Sequence, residues 1–206
     1  MSTAAIVENE DHQVSHATRQ PSGYRAATSD DLKWVHGRLM EAIDTSPHYA
    51  ADFKAYEKAR ISQDYLGALI EADPFHVMVF ERNGEPAAFM ISGPELGTLW
   101  LYWSYVLPEH RRSRLGLSGM RDFIAHWDNG RFHKIATYTK PGNDVAEAIM
   151  KRFQYRLVAR LEQHIFGEDY LLYERALTKR EPGYDLGLRL GMRARLGRRV
   201  RRLLRL

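Results

Sequence analysis

Apolar residues recur along this chain in two rhythms, and the changes between them divide it into elements. Leu32, Val35, Leu39 and Ile43 fall three or four apart, which marks one face of a helix. Phe53, Tyr56, Ile61, Tyr65 and Leu69 repeat less regularly and predict a second. Residues 75–81 and 85–92 are apolar runs that meet at Asn83-Gly84, a pair suited to a tight hairpin turn, so they should pair antiparallel. A strand starting at Gly97 or Thr98 follows, almost wholly aromatic, β-branched or leucine to Val106, and Pro108 ends it by removing a ladder donor. Leu117, Met120, Ile124 and Trp127 restore the helical spacing until Asp128-Asn129-Gly130 stops it. Residues 134–140 alternate around Ile135 and Tyr138 as a strand. Asn143 or Asp144 then caps a helix carrying Val145, Ile149 and Phe153, and residues 157–165 and 170–177 read as two closing strands. At the front, residues 24–28 predict a short first strand, with Thr28 and Asp31 as a helix-capping pair.

The order is strand, two helices, hairpin, strand, helix, strand, helix, two strands. That is an α+β arrangement around a mixed sheet. It occupies residues 23–178. Residues 1–22 are polar, include Glu8, Glu10 and Asp11, and read as a flexible arm rather than a signal peptide. Residues 179–206 form a second arm of different character.

Charge sharpens that division. The 206 residues carry a formal +4, yet residues 187–206 hold eight arginines and no acid, leaving −4 on the rest. After Pro182, Leu188, Met192, Leu196, Val200, Leu203 and Leu204 share a helical stripe with arginines elsewhere, the pattern of a basic amphipathic helix. Residues 183–206 are thus suited to an anionic membrane surface or a protein partner, and the apolar stripe favours both over nucleic acid. The absence of cysteine excludes thiol nucleophiles, disulfides and cysteine-ligated zinc, and fits a reducing compartment, with the cytoplasm, peripherally at a membrane if the tail docks there, as the expected location.

The densest chemistry lies between Tyr105 and Phe123. A strand breaks into a basic, glycine-containing turn that launches a helix, and such a turn aims free backbone N–H groups and the positive end of a helix dipole at whatever sits above it. Arg111, Arg112 and Arg114 add full charges. The segment Val106-Leu107-Pro108 followed by Arg111-Arg112-Ser113-Arg114-Leu115-Gly116 resembles the pyrophosphate-binding turn of the GNAT superfamily, the acyl-CoA-dependent N-acetyltransferases, whose pattern is Val-x-Pro and then Arg/Gln-x-x-Gly-x-Gly/Ala. The first residue and last glycine of the second motif match, while Arg114 replaces its middle glycine. The element order also resembles this family's, so the fold implied is a mixed, mostly antiparallel central sheet flanked by helices.

The resemblance implies acetyl-CoA as co-substrate, without a metal. It places Ser104, Tyr105 and Val106 along the pantetheine and acetyl group, and Arg112, Ser113, Arg114, Leu115, Gly116 and Leu117 around the pyrophosphate, with Arg111 opening the motif. Asn143 matches the Asn that begins the later helix. Seven residues on, where the family keeps a proton-donating Tyr, stands Met150, and a thioether donates no proton. Five residues before Asn143, where relatives acting on protein N-termini carry a general base, stands Tyr138, whose phenol has a reference pKa near 10. The implied activity is acetyl transfer from acetyl-CoA to a primary amine on a small molecule or protein. Two rivals are an inactive GNAT-like module docked through the arginine-rich tail, and a membrane-associated acyltransferase with a lipid donor or acceptor.

Weaker candidates have simpler readings. Gly116-Leu117-Ser118-Gly119 lacks the Gly-x-Ser-x-Gly pattern of a nucleophile elbow, His12 and His16 lack a third ligand, and His76, His133 and His164 suit hydrogen-bonded structural roles.

Overall fold

The computed structural model describes residues 23–178 together with Asp185 and Gly187. Seven strands form one sheet in the order β1 (Tyr24–Ala26), β2 (Val77–Arg82), β3 (Glu85–Glu95), β4 (Thr98–Val106), β5 (Lys134–Thr139), β7 (Glu168–Ala176) and β6 (Arg156–Ile165). Every pairing is antiparallel except β4 with β5. Five helices flank it: α1 (Leu32–Thr45), α2 (Ala51–Arg60), α3 (Gln63–Ala72), α4 (Leu115–Trp127) and α5 (Asp144–Arg152).

Strand alternation sends neighbouring side chains to opposite faces and so builds two cores. From β2, Met78 and Phe80 join Leu99, Phe123 and Trp127 beneath α4, whereas Val77 and Val79 join Leu39, Ile43 and Leu66 beneath α1 and α3. The β2–β3 hairpin turns where expected. Asn83 and Gly84 have φ of 56° and 85°, the left-handed pair that a two-residue turn between twisted strands requires.

The expected second helix is two. Ile61, fully buried, leaves helical geometry at ψ 68°, and the Ser62 hydroxyl accepts from the Tyr65 N–H at 3.2 Å to start α3. A serine that satisfies a free helix donor competes with continued helix, which explains the irregular apolar spacing. At the first helix, the Asp31 carboxylate accepts from both the Thr28 N–H and its hydroxyl, at 2.8 and 2.9 Å.

The N-terminal arm lies outside the described residues, as does the second arm apart from two positions. Asp185 accepts from the Gly97 N–H at 2.7 Å and donates its own N–H to Arg131 at 3.1 Å, while Gly187 bridges Glu95. Arg131 also pairs with the Asp185 carboxylate at 2.5 Å and with Asp73. Among the described residues, no helix is long and apolar enough to cross a membrane.

Candidate active site

The parallel strands β4 and β5 stay together only briefly. Thr98, Leu99 and Trp100 pair with Lys134, Ile135 and Ala136, and the Thr137 hydroxyl donates to the Leu101 carbonyl at 2.9 Å. Beyond that point β4 continues beside β3 while β5 continues beside β7, so the sheet opens between them. Among the described residues, backbone groups of β4 past Leu101 have no strand partner on that side.

A register shift decides which side chains enter it. Ile91 is opposite Trp103 and Ser92 opposite Leu101, so Tyr102 is an extra residue in β4. Before the bulge, Leu99 and Leu101 point into the core beneath α4 and α5; after it, Tyr105 belongs to the opposite core and Val106 packs on the α4 side. Ser104 shares the face of Val106 and is exposed. Of the three β4 candidates, Ser104 and Val106 therefore line the cleft face by side chain, and Tyr105 only through its backbone. The Tyr105 hydroxyl is buried and has no hydrogen-bond partner among the described residues.

The basic turn follows directly. After a 3₁₀ turn over residues 108–110, the Ser113 hydroxyl donates to the His110 carbonyl at 2.6 Å. Arg114 then takes φ 63°, ψ 6°, and α4 begins at Leu115. Left-handed backbone is what the middle glycine of the family motif would supply, and here an arginine adopts it. The first helical N–H groups, at Leu115 and Gly116, have no intramolecular acceptor among the described residues, while those of Leu117 and Ser118 return to the Arg114 carbonyl at 3.0 Å. Arg111, Arg112 and Arg114 are exposed and form no ion pair among the described residues, although the Arg111 guanidinium lies 5.7 Å from the Tyr105 ring centre. The helix start lies close to β4, so an added Cβ on Gly116 would meet Val106 at 3.5 Å, in ordinary contact.

Asn143 stands at the same edge of the sheet, because it follows β5 as the turn follows the parallel β4. Its side-chain carbonyl caps α5, accepting from the Ala146 N–H at 3.2 Å. Met150 is buried in the core on the α4 side, which turns its thioether to packing.

A cavity of about 340 Å³ opens beside the bulge of β4. Its walls come from α2 and the segment before it, the end of β3, β4, β5, the end of β6 and β7, and most lining side chains are aromatic. Tyr49 stacks on Phe53 at 4.5 Å and meets Trp103 edge-on at 5.7 Å; Trp100 lies 5.0 Å from Tyr138. Glu57, 4% exposed, accepts from Trp103 Nε1 at 2.8 Å and holds Arg60 through two bonds of 2.7 and 2.9 Å. Glu95 lines the same cavity and is exposed.

Burial, and then the Glu57 charge, push the Tyr49 phenol up to about 12. The Tyr138 phenol is also raised, by burial and then by Glu95. That shift moves Tyr138 further from a base and keeps its proton on, so its neutral hydroxyl is a donor. Glu57, Arg60 and Glu95 carry little signal in the sequence: two carboxylates and an arginine near aromatic residues, in an otherwise ordinary helix and at a strand end.

Two of the remaining candidates have structural roles, while His12 and His16 lie outside the described residues. His76, 1% exposed, stacks on Trp127 at 4.9 Å with its Nδ1 3.3 Å from the Ser92 hydroxyl, and burial lowers its pKa to about 4. The Ser118 hydroxyl donates back to the Leu115 carbonyl at 3.1 Å. Among the described residues, no group of three potential ligands could hold a metal ion.

Comparison with known proteins agrees with this fold. Residues 38–155 match the model of the acetyltransferase (GNAT) family. No curated protein matches the chain by sequence. Among solved structures, it resembles yncA, a putative acetyltransferase from Salmonella typhimurium with its cofactor acetyl-CoA, at 17% identity and a TM-score of 0.64, over 79% of this chain and 98% of that one. A ribosomal-protein-alanine N-acetyltransferase from Brucella melitensis is similar at 18% identity and 0.62, covering 75% and 99%. Ard1 from Thermoplasma volcanium follows at 16% and 0.59, covering 77% and 99%. At these identities the likeness to solved structures is one of fold.

Proposed function

The chain belongs to the acetyltransferase (GNAT) family, and on that premise we propose that it transfers the acetyl group of acetyl-CoA to a primary amine. The observation that carries this reading is the open seam between β4 and β5, which leads from exposed Ser104 to a basic turn with two free helical N–H groups. The pyrophosphate would rest on the N–H groups of Leu115 and Gly116, with Arg111, Arg112 and Arg114 supplying charge. The pantetheine arm would pair with β4 along Ser104, Tyr105 and Val106 as a missing strand would, and Asn143 would flank it from the end of β5. When bound, acetyl-CoA supplies the activated thioester.

The acceptor would enter from the aromatic cavity. A neutral amine attacks the thioester carbonyl, the carbon–sulfur bond breaks, and the nitrogen loses a proton while the thiolate gains one. Glu95, on the cavity wall and open to water, is suited to take the proton from the incoming ammonium. Tyr138 is suited to return one to the thiolate as a neutral phenol, the role left open by Met150. Residues 183–206 would dock the enzyme on an anionic membrane surface or a protein partner.

The test is release of free thiol from acetyl-CoA on addition of an amine, with the acetylated product identified by mass. Tyr138→Phe should lower turnover by at least tenfold with little change in acetyl-CoA affinity. Failure to release thiol with any amine would remove the transferase reading.

A further inference from the structure

We propose that the acceptor is a small monoamine with an aromatic body, an arylalkylamine in chemical class, seated in the cavity between α2 and β4. This rests on the acetyl-transfer reading and adds to it the identity of the acceptor.

Four features support the assignment. The size, about 340 Å³, is that of a small-molecule site and close to the low end of such sites. The walls supply ring faces and edges from Tyr49, Phe53, Trp100, Trp103, Tyr138 and Tyr170, which suit both an apolar ring and a cation held over a π-face. The charge is specific. Glu57 is already neutralised by Arg60, so among the described residues Glu95 remains as the one charge on the lining without an ion pair, and a single ammonium complements it. A polycation would bring further charges that no second open carboxylate on the described lining meets and that Arg60 repels, and an amino acid would bring its carboxylate toward Glu95.

The fourth feature is closure. The Tyr56 ring on α2 lies 5.7 Å from Phe166 in the β6–β7 turn, and Phe53 lies 6.1 Å from Tyr170 on β7. These contacts join the two walls across the cavity, so an extended peptide entering with its N-terminus would have to part them.

The test is calorimetric titration of the full chain, saturated with coenzyme A, using four probes: 2-phenylethylamine, 2-phenylethanol, spermidine and a peptide beginning with alanine. 2-Phenylethylamine should bind at least tenfold tighter than each of the others. Glu95→Gln, at an exposed position, should erase most of its advantage over 2-phenylethanol, and Trp103→Ala should weaken both aromatic probes at least tenfold. Where Trp103→Ala does not fold, Tyr138→Leu serves for the same comparison. Equal or tighter binding of spermidine or the peptide, no binding of 2-phenylethylamine, or an unchanged preference in Glu95→Gln would overturn the proposal. The two readings fail separately. Glu95-dependent binding of 2-phenylethylamine with no thiol released by any amine sinks the transferase reading and leaves the cavity as a ligand site for this amine class, whereas transfer to the peptide but not to 2-phenylethylamine sinks the acceptor assignment alone.

Discussion

Tyr102 occupies the space that a side chain at Gly93 would need: an added Cβ on Gly93 would lie 2.7 Å from the Tyr102 ring. Tyr102 is also the extra residue of the β3–β4 ladder, so the glycine makes room for the bulge that turns Ser104 to the cleft. Gly93→Ala should displace the ring, cost about 1–3 kcal/mol as overpacking does, and weaken acetyl-CoA binding by disturbing β4. Chemical denaturation and a titration on the same variant check both parts. Unchanged stability and affinity would show that the ring yields freely.

Arg114 gives a prediction of opposite sign. Its φ of 63° is a conformation that costs an L-residue about 1–2 kcal/mol and that glycine adopts freely, while glycine also loses more backbone entropy on folding. Arg114→Gly should leave the melting temperature unchanged or slightly raised and should preserve or improve acetyl-CoA affinity. A tenfold loss of affinity at unchanged stability would instead assign Arg114 a direct grip on phosphate.

The pH dependence of stability should carry the mark of His76. Its folded pKa of about 4 lies below the ordinary 6.5, so the unfolded chain binds a proton first as pH falls. The sign is therefore a loss of stability on acidification, complete contribution above pH 6.5 and progressive loss down to about pH 4, amounting to roughly 3 kcal/mol. His126, whose pKa is also lowered chiefly by burial, acts in the same direction. Asp31, held down to about 2 by its hydrogen bonds to Arg25, acts at lower pH, between the ordinary carboxylate range and 2. His76→Gln should flatten the slope between pH 6.5 and 4 in urea melts. An unaltered slope would assign the acid sensitivity to other groups.

Truncation after Gly187 tests the tail. It retains the Asp185 contacts with Gly97 and Arg131, which a cut at Pro182 would remove. The shortened protein should keep its melting temperature within a few degrees and lose sedimentation with anionic vesicles, whose attraction combines arginine charge with apolar insertion. Equal sedimentation of both forms would contradict a docking role.

The legible parts of this fold were those set by local pattern. Asn83-Gly84 marked its hairpin, and Leu32, Val35, Leu39 and Ile43 all lie buried on α1 as their spacing required. The break at Ile61-Ser62 was missed because a single serine cap outweighed an apolar series that continued through it. The turn at Arg111 to Gly116 was visible as charge beside glycine. The bulge at Tyr102 was not, since one extra residue leaves the aromatic run unchanged while reversing the faces beyond it. Glu57 and Arg60 escaped for a similar reason. Their bonds to each other are local, but Trp103, which makes the pair part of a cavity, is 46 residues from Glu57.

Acetyl-CoA should lie in the β4–β5 cleft with its pyrophosphate on the turn from Arg111 to Gly116. Calorimetric titration of acetyl-CoA into the wild-type protein and the Arg111→Ala/Arg112→Ala variant measures this directly. Binding of one molecule per chain, at least tenfold weaker in the variant and weakened by salt in the wild type, is the predicted result. No binding to the wild type, or equal affinity in the two proteins, would contradict it.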